Sequence, residues 1–516
     1  MDERYIASID LGSSKTAVSV AEIDGSNIQI VYYREIPSRG VRHSVVFNPK
    51  QAAACVKEAL GAAEEELKIK ILQLVVGLPR FSVQQQSACA SIERSDKNSS
   101  ITQEEVDFLK NEAADTYPLD DRERDFIYGI VPQSFSADDY IMASENDIVG
   151  MVSETLDGNF KVFIGKKRSC ANVDMVMNLA GKAIAGKYFI PEVTGKAVLT
   201  SEERENGVAL IEIGGGVTSV TIYHKNILCH YSSIPFGGKT ITSDIRLECG
   251  TSERLSENIK LAYGVCMPEK LLTLRDKIIQ IENKEDGSCK QLTVKYLSEV
   301  ITCRMKEILE ACFYKIQESG YADRLRSGIV LTGGGAMIPN LAAYAKELSG
   351  YNVRVGYPLH KFSCSGCPEV CEPSAAASIG MILAAKENEL LNCLSDKIVL
   401  PEHKTEEEEP AQSENPADAA RPIVPLPAED SPQQPAETSS ASESEADNTT
   451  LNGDAEPIPE HLIPPEEFGE ETKKKKEKTK KKPRVTWTTS GIGKFLNKVS
   501  HGMEGVIDGL YNDMEQ

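Results

Sequence analysis

Tryptophan is nearly absent from this 516-residue chain: the one residue, Trp487, stands close to the C-terminus. No uninterrupted apolar run reaches about 18 residues, so the hydropathy pattern offers no membrane-spanning helix. There is no G-x-x-x-x-G-K-[ST] loop and no G-x-G-x-x-G opening a helix, so P-loop and Rossmann nucleotide sites fall away. The segment MDERYIASID is acidic and leads straight into a strand-like pattern, and no secretory signal is expected there. Thirteen scattered cysteines, an odd number, suit a reducing compartment better than a disulfide framework. One group, CSGCPEVC with Cys364, Cys367 and Cys371, has metal-like spacing. A closed zinc site needs a fourth ligand, for which His360 is the nearest candidate, and a turn rich in reduced thiols is the simpler reading.

The chain is long enough for two or more cores, since single cores stop growing near roughly 250–300 residues. Its formal net charge of -21 is unevenly spread. Residues Glu402 to Thr472 hold 20 Asp or Glu against two basic residues, Lys404 and Arg421. That stretch is rich in Pro, Ser and Ala and too poor in large apolar side chains to build a core. Lys473 to Arg484 reverses the sign, with nine basic residues and one Glu. The expected order is a folded body to about residue 396, a disordered linker over 396–483, and a terminal segment over 484–516. The acidity therefore belongs mostly to the linker and says little about what the body binds.

Within the body, one pattern is used twice. YIASIDLGSSKTAVSVAEIDGSNIQIVYYREI reads as strand, Gly/Ser turn, strand, DG turn, strand. About 200 residues later GVALIEIGGGVTSVTIYHKNILCHYSSIPFGG reads the same way. In each copy a carboxylate ends the first strand, Asp10 or Glu212, and a glycine follows two positions on, Gly12 or Gly214. Glycine lets backbone approach an oxyanion, and successive N–H groups in a tight turn make an anion-binding concavity. Ser13, Ser14 and Lys15 add donors to the first turn, and Gly215 and Gly216 extend the second. Carboxylates repel phosphate, so Asp10 and Glu212 imply an intervening Mg²⁺ with its waters. A third element, SGIVLTGGGAMIPNLAAYAKELSG, reads as strand, three glycines (Gly333, Gly334, Gly335) and a helix with Pro339 near its first turn and Gly350 past its end. Such glycines would let a flat base or ribose lie against the backbone.

DLGSSKT, IEIGGGVTSV and VLTGGGAMIPN, in that order and spacing, resemble the two phosphate motifs and the adenosine motif of the actin-like ATPase superfamily. Within it the chain most resembles the FtsA family of bacterial cell-division actin homologues, over roughly residues 4–395 and the terminal segment. PFGGKTITSDI and SENIKLAYG add to the likeness; in the family the Glu and Lys of the latter, here Glu257 and Lys260, approach the ribose and base. The resemblance implies an α/β fold, with duplicated RNase H-like domains flanking a cleft for ATP and Mg²⁺. It implies a subdomain 1A over 1–83 with 165–200 and 374–395, and an inserted small α+β subdomain 1C over 84–164. Subdomain 2A would span 201–240 and 327–373, and subdomain 2B 241–326. The insertion begins with an alternating strand, FSVQQQSACASIER, and carries a helix-like ITQEEVDFLKNEAADTY. Two positions depart from the family: the second carboxylate is usually Asp where this chain has Glu212, and Ile190 precedes a Pro where filament relatives often carry Glu or Gln near the attacking water. Isoleucine can neither orient nor deprotonate water, so ATP binding with slow or no hydrolysis is expected.

In the terminal segment Ile492, Phe495, Leu496, Val499, Met503, Val506, Ile507, Leu510, Tyr511 and Met514 recur at steps that put them on one face of a helix. Trp487 precedes them, where its ring favours a membrane–water interface, and the basic run would add attraction to anionic lipid. A membrane-surface helix is the expected role, in preference to docking on the body. The resemblance then implies a polymer-forming tether between the tubulin-like FtsZ ring and the cytoplasmic face of the inner membrane at the septum. It also implies that 241–326 receives the FtsZ C-terminal peptide and that later divisome proteins are recruited, with no nucleic-acid partner. The rival readings are a pilus-assembly adaptor, a small-molecule kinase of the same superfold and a chaperone ATPase; none accounts for both the linker and the terminal stripe.

Overall fold

The two Gly-rich hairpins open two sheets of the same design. The computed structural model describes residues 4–394, apart from 95, 139, 143–144, 273–275, 283–288 and 359–360, all within one compact unit. The linker, the terminal segment from Trp487 to Met514 and His360 lie outside the described residues.

In the first domain β1 (Arg4–Leu11), β2 (Lys15–Asp24) and β3 (Asn27–Pro37) form an antiparallel meander. Helix α1 (Pro49–Leu67) follows, opened by Asn48, whose side chain accepts from the Gln51 N–H at 3.1 Å, and by Pro49. It leads to β4 (Gln73–Gly77), parallel to β1. An insertion then supplies β5 (Gln84–Glu93), α2 (Gln103–Thr116), β6 (Asp125–Ala137), β7 (Tyr140–Met142) and β8 (Thr155–Lys166). Its four strands make a separate antiparallel sheet, ordered β5-β8-β6-β7, with its own apolar cluster around Phe135, Phe160, Leu109 and Ile101. The strand and helix expected there are present, and Thr102 and Glu105 form a capping box at the start of α2. The chain returns through α3 (Lys167–Ala180) to β9 (Ala183–Tyr188), parallel beside β4, and enters α4 (Ile190–Val198).

The second domain repeats the scheme with β10 (Val208–Ile213), β11 (Thr218–His224) and β12 (Ile227–Ile234). Helices α5 (Gly238–Cys249) and α6 (Glu253–Tyr263), a ribbon of β13 (Ile278–Glu282) and β14 (Cys289–Thr293), and α7 (Val294–Glu318) come next. Then β15 (Ile329–Thr332) pairs parallel with β10, α8 (Leu341–Ser349) follows, and β16 (Val353–Val355) pairs parallel with β15. The five-strand orders β3-β2-β1-β4-β9 and β12-β11-β10-β15-β16 match, and so do the strand senses. This is a duplicated α/β domain. The central strands are buried on both faces, as six successive residues of β1 and all six of β10 show.

A short β17 (Ser363–Cys364) adds to the edge of the first sheet beside β3, and α9 (Ala376–Lys386) closes the body. Nine of the eleven residues of α9 are buried, as expected for a helix that is apolar all round. It presses on α4 so closely that a Cβ on Gly380 would stand 2.3 Å from the Val193 carbonyl oxygen. Beyond it, the Cys393 N–H donates to the Tyr5 carbonyl at 2.8 Å, and the Leu72 N–H donates to the Cys393 carbonyl at 2.9 Å. Arg4 Nε donates to the Leu391 carbonyl at 2.8 Å, so the end of the body is laced to its first strand.

Pro339 lies two residues before α8, which starts at Leu341 behind Asn340, and a 3-10 turn over Gly334–Met337 separates Gly333 from it. Gly350 does end the helix in the left-handed region, at φ +75°.

Candidate functional site

Asp10 and Glu212 occupy equivalent places, each one residue before the end of the first strand of its sheet. Asp10 lies opposite Ala17 on β2 and Glu212 opposite Ser219 on β11. The turns that follow face each other. A Cβ on Gly215 would lie 2.0 Å from Ser14 Oγ, and one on Gly216 would lie 2.8 Å from Ser13 Oγ. Only glycine allows the two tips to approach this closely.

The tips are held by cross-bonds. Ser13 Oγ accepts from the Ser44 N–H at 2.8 Å, and the Ser38 N–H donates to the Ser14 carbonyl at 3.0 Å. His43 Nδ1 lies 2.8 Å from the Gly216 carbonyl oxygen, so that its N–H form donates across the domains. The Gly214 and Gly215 carbonyls cap the start of α5, accepting from Gly238 N–H at 2.9 Å and Lys239 N–H at 2.7 Å. Among the described residues, the N–H groups of Ser13, Ser14, Gly215 and Gly216 donate to no protein acceptor. Lys15 Nζ pairs with Glu35 and donates to the Ser374 carbonyl at 3.0 Å.

The third glycine run is joined to the same region. The Gly333 N–H donates to the Pro373 carbonyl at 3.1 Å, and Cβ atoms on Gly333 or Gly335 would collide with Ile213 of β10. Above Gly334 the space is open, the nearest atom being Ser374 Cβ at 4.0 Å. Glu257 and Lys260 meet one helical turn apart on α6, with Lys260 Nζ 2.7 Å from Glu257 Oε2 and 3.0 Å from the Gly238 carbonyl oxygen. The structure thus brings Lys260 against the start of α5, beside the second hairpin.

Sequence reasoning missed the residue at the centre. Arg80, three positions beyond β4, lies between the two carboxylates. Its Nη2 donates to Asp10 Oδ1 at 2.8 Å and Oδ2 at 2.9 Å, and its Nη1 donates to Glu212 Oε1. The Tyr231 hydroxyl on β12 donates to the Arg80 carbonyl. Burial alone would push the guanidinium pKa down, but Asp10 and Glu212 outweigh that and raise it, so Arg80 is charged. Burial pushes the Glu212 carboxyl up, with Arg80 opposing it. The one clue in the sequence was an arginine inside the apolar stretch VVGLPRF. Both oxygens of Asp10 are engaged, and the water-shelled Mg²⁺ expected on Asp10 and Glu212 does not fit beside the guanidinium.

Two other features fall away from the site. Ile190 is buried in the core, where a Cβ on Gly77 would lie 2.3 Å from its Cδ1. Cys367 is buried with its thiol 3.6 Å from the Ile30 carbonyl oxygen, while Cys364 is exposed. Among the described residues no group of three His, Cys, Asp or Glu is placed to hold a metal.

Comparison with known proteins agrees with this architecture. The family model described as cell division protein FtsA matches residues 209–380. The chain is 30% identical to cell division protein FtsA of Borreliella burgdorferi over 397 residues, 76% of this chain and 94% of the relative. It is 29% identical to the FtsA of Neisseria meningitidis over 388 residues (74% and 90%) and 26% identical to that of Escherichia coli over 398 (75% and 92%). Among solved structures, the PilM-PilN type IV pilus biogenesis complex superposes with a TM-score of 0.51 at 15% identity, covering 73% of this chain and 98% of that one. At that identity the likeness is one of fold, the actin-like fold of two duplicated domains. With a relative at 30% identity across most of both chains, the sequence belongs to the FtsA family of cell-division proteins.

Proposed function

We propose that this actin-like cell-division protein binds ATP between its two domains, self-associates, and tethers the FtsZ ring to the cytoplasmic face of the inner membrane at the septum. The observation that carries the nucleotide part is the meeting of the two glycine-rich tips, with the free N–H groups of Ser13, Ser14, Gly215 and Gly216 and the open face of Gly334 close by. These groups would hold the phosphates and the ribose or base, with Gly12, Lys15 and Gly214 shaping the hairpins, Gly333 and Gly335 the third turn, and Glu257 and Lys260 at the base. Their chemistry is binding rather than bond-breaking. Slow or absent hydrolysis is expected, with Ile190 withdrawn into the core and no proton acceptor assigned in its place.

The FtsZ C-terminal peptide is assigned to residues 241–326. That region supports the assignment with exposed apolar side chains, Leu247, Leu261 and Leu272 being 72%, 74% and 91% exposed. Attachment to anionic lipid is assigned to 484–516 on its sequence alone; no helix among the described residues is long and apolar enough to cross a membrane. Later divisome proteins would be recruited by the same assembly. The pilus-type fold likeness does not separate an adaptor of that kind from this reading, whereas sequence identity to the FtsA relatives does.

The test is co-sedimentation of the full-length protein with anionic liposomes, beside a version ending at Pro483, each with and without ATP and FtsZ. The reading expects FtsZ to sediment only with the full-length protein. Equal sedimentation of the two versions would sink it.

A further inference from the structure

Arg80 does something that the hairpins do not account for. It puts a positive charge where the two domains present one carboxylate each. Three features show that the arrangement is built rather than incidental. Arg80 and both acids are all less than 10% exposed, in a place where an unpaired charge would be costly. The guanidinium engages both Asp10 oxygens and Oε1 of Glu212 together, the fork geometry that lysine cannot reproduce. The backbone on which Arg80 sits is itself tied to the second domain by the Tyr231 hydroxyl. Only Nε of the guanidinium is buried without an acceptor among the described residues.

A hydrated divalent ion needs the same oxygens and the same space, because Mg²⁺ holds its waters tightly and asks for octahedral room. The two cations therefore exclude one another. We propose that Arg80 is the resident cation of this cleft, filling the place between Asp10 and Glu212 so that no divalent metal binds there while it is present. Arg80 is then a specificity-determining residue: it offsets the carboxylate charge that phosphates entering the cleft would otherwise meet, the role a metal would fill. Nucleotide affinity depends little on divalent ions as a result. The metal half of the proposal needs no nucleotide; the nucleotide half rests on the cleft reading given above.

The experiment is a titration of the nucleotide-free, full-length protein with Mn²⁺, following free Mn²⁺ by electron paramagnetic resonance. Wild type should show no site that Asp10→Asn removes. Arg80→Ala, checked for folding by circular dichroism, should bind one Mn²⁺ at least about tenfold more tightly, because it leaves two carboxylates without their cation. A wild-type Mn²⁺ site abolished by Asp10→Asn overturns the proposal, as does a folded Arg80→Ala protein with no gain. Should Arg80→Ala not fold, the wild-type and Asp10→Asn titrations decide alone. A second arm measures ATP affinity in Mg²⁺ and in EDTA. Wild type should change by less than about threefold and Arg80→Lys by about tenfold, since lysine keeps the charge without the fork. Loss of wild-type binding in EDTA overturns the nucleotide half. Failure to bind ATP in either buffer would instead fail the cleft reading and leave the Mn²⁺ result standing.

Discussion

Ser14 and Gly215 touch across the cleft, close enough that a methyl group on the glycine would overlap the serine hydroxyl. The two domains are thus in contact at their most glycine-rich points, and small changes there act on both domains at once.

Gly215→Ala should separate the tips. Overpacking of this kind costs on the order of 1–3 kcal/mol, and it should lower the thermal midpoint. Pairing it with Ser14→Gly, which removes the clashing hydroxyl, should recover most of the loss. Differential scanning calorimetry of the single and double variants measures the coupling.

The insertion should depend on Arg94. Its side chain is 1% exposed, with Nε and Nη2 donating to Glu105 at 2.9 and 3.1 Å and Nη1 donating to the Ser99 and Ser153 carbonyls at 2.9 Å each. Arg94→Ala leaves the buried Ser153 carbonyl without this donor and releases the partly exposed Glu105, and should destabilise the insertion by an amount on the order of 1–3 kcal/mol. Faster hydrogen exchange confined to residues 84–166 would be the sign.

Acid should weaken the body through His230. Its Nδ1 lies 2.7 Å from Gln85 Nε2, and because Gln85 Oε1 accepts from the Tyr231 N–H, the amide donates and the ring is neutral with hydrogen on Nε2. Burial, together with Lys161 and Lys315 against Glu318, lowers its pKa from 6.5 to about 4. The unfolded chain takes up the proton first as pH falls, so stability present above about pH 6.5 is lost on the way down to about pH 4. The loss is on the order of 2–3 kcal/mol. His230→Gln should flatten urea denaturation midpoints across that window; an unchanged slope would reject the assignment.

At the membrane the two ends of the terminal stripe should differ. Lys494 and Lys498 lie near the basic run, while Glu504, Asp508, Asp513 and Glu515 lie in the distal half. Phe495→Asp with Leu496→Asp should release the full-length protein from anionic liposomes. Tyr511→Asp with Met514→Asp should release less. Flotation assays of the two double variants compare them directly.

What the sequence made legible was local chemistry. Asp10 with Gly12, Glu212 with Gly214, and the run Gly333 to Gly335 each leave a short pattern, because a backbone turn near an anion demands glycine at fixed spacing. Glu257 and Lys260 were visible only through the resemblance of SENIKLAYG to a family segment. Arg80 was not, because its partners lie 70 and 132 residues away and nothing near it in the chain records them. His43, whose contact at Gly216 is 173 residues distant, escaped likewise. The 3-10 turn between Gly333 and α8 was not legible, because three glycines give no sign of which turn they make.

The lacing of Cys393 to Tyr5 and Leu72 also sets a mechanical path. A pull applied at Leu391–Cys393, where Arg4 grips the Leu391 carbonyl, is passed to β1 and the start of β4 in the middle of the first sheet. Tension therefore loads the strand that carries Asp10, and the first domain bears it before the second.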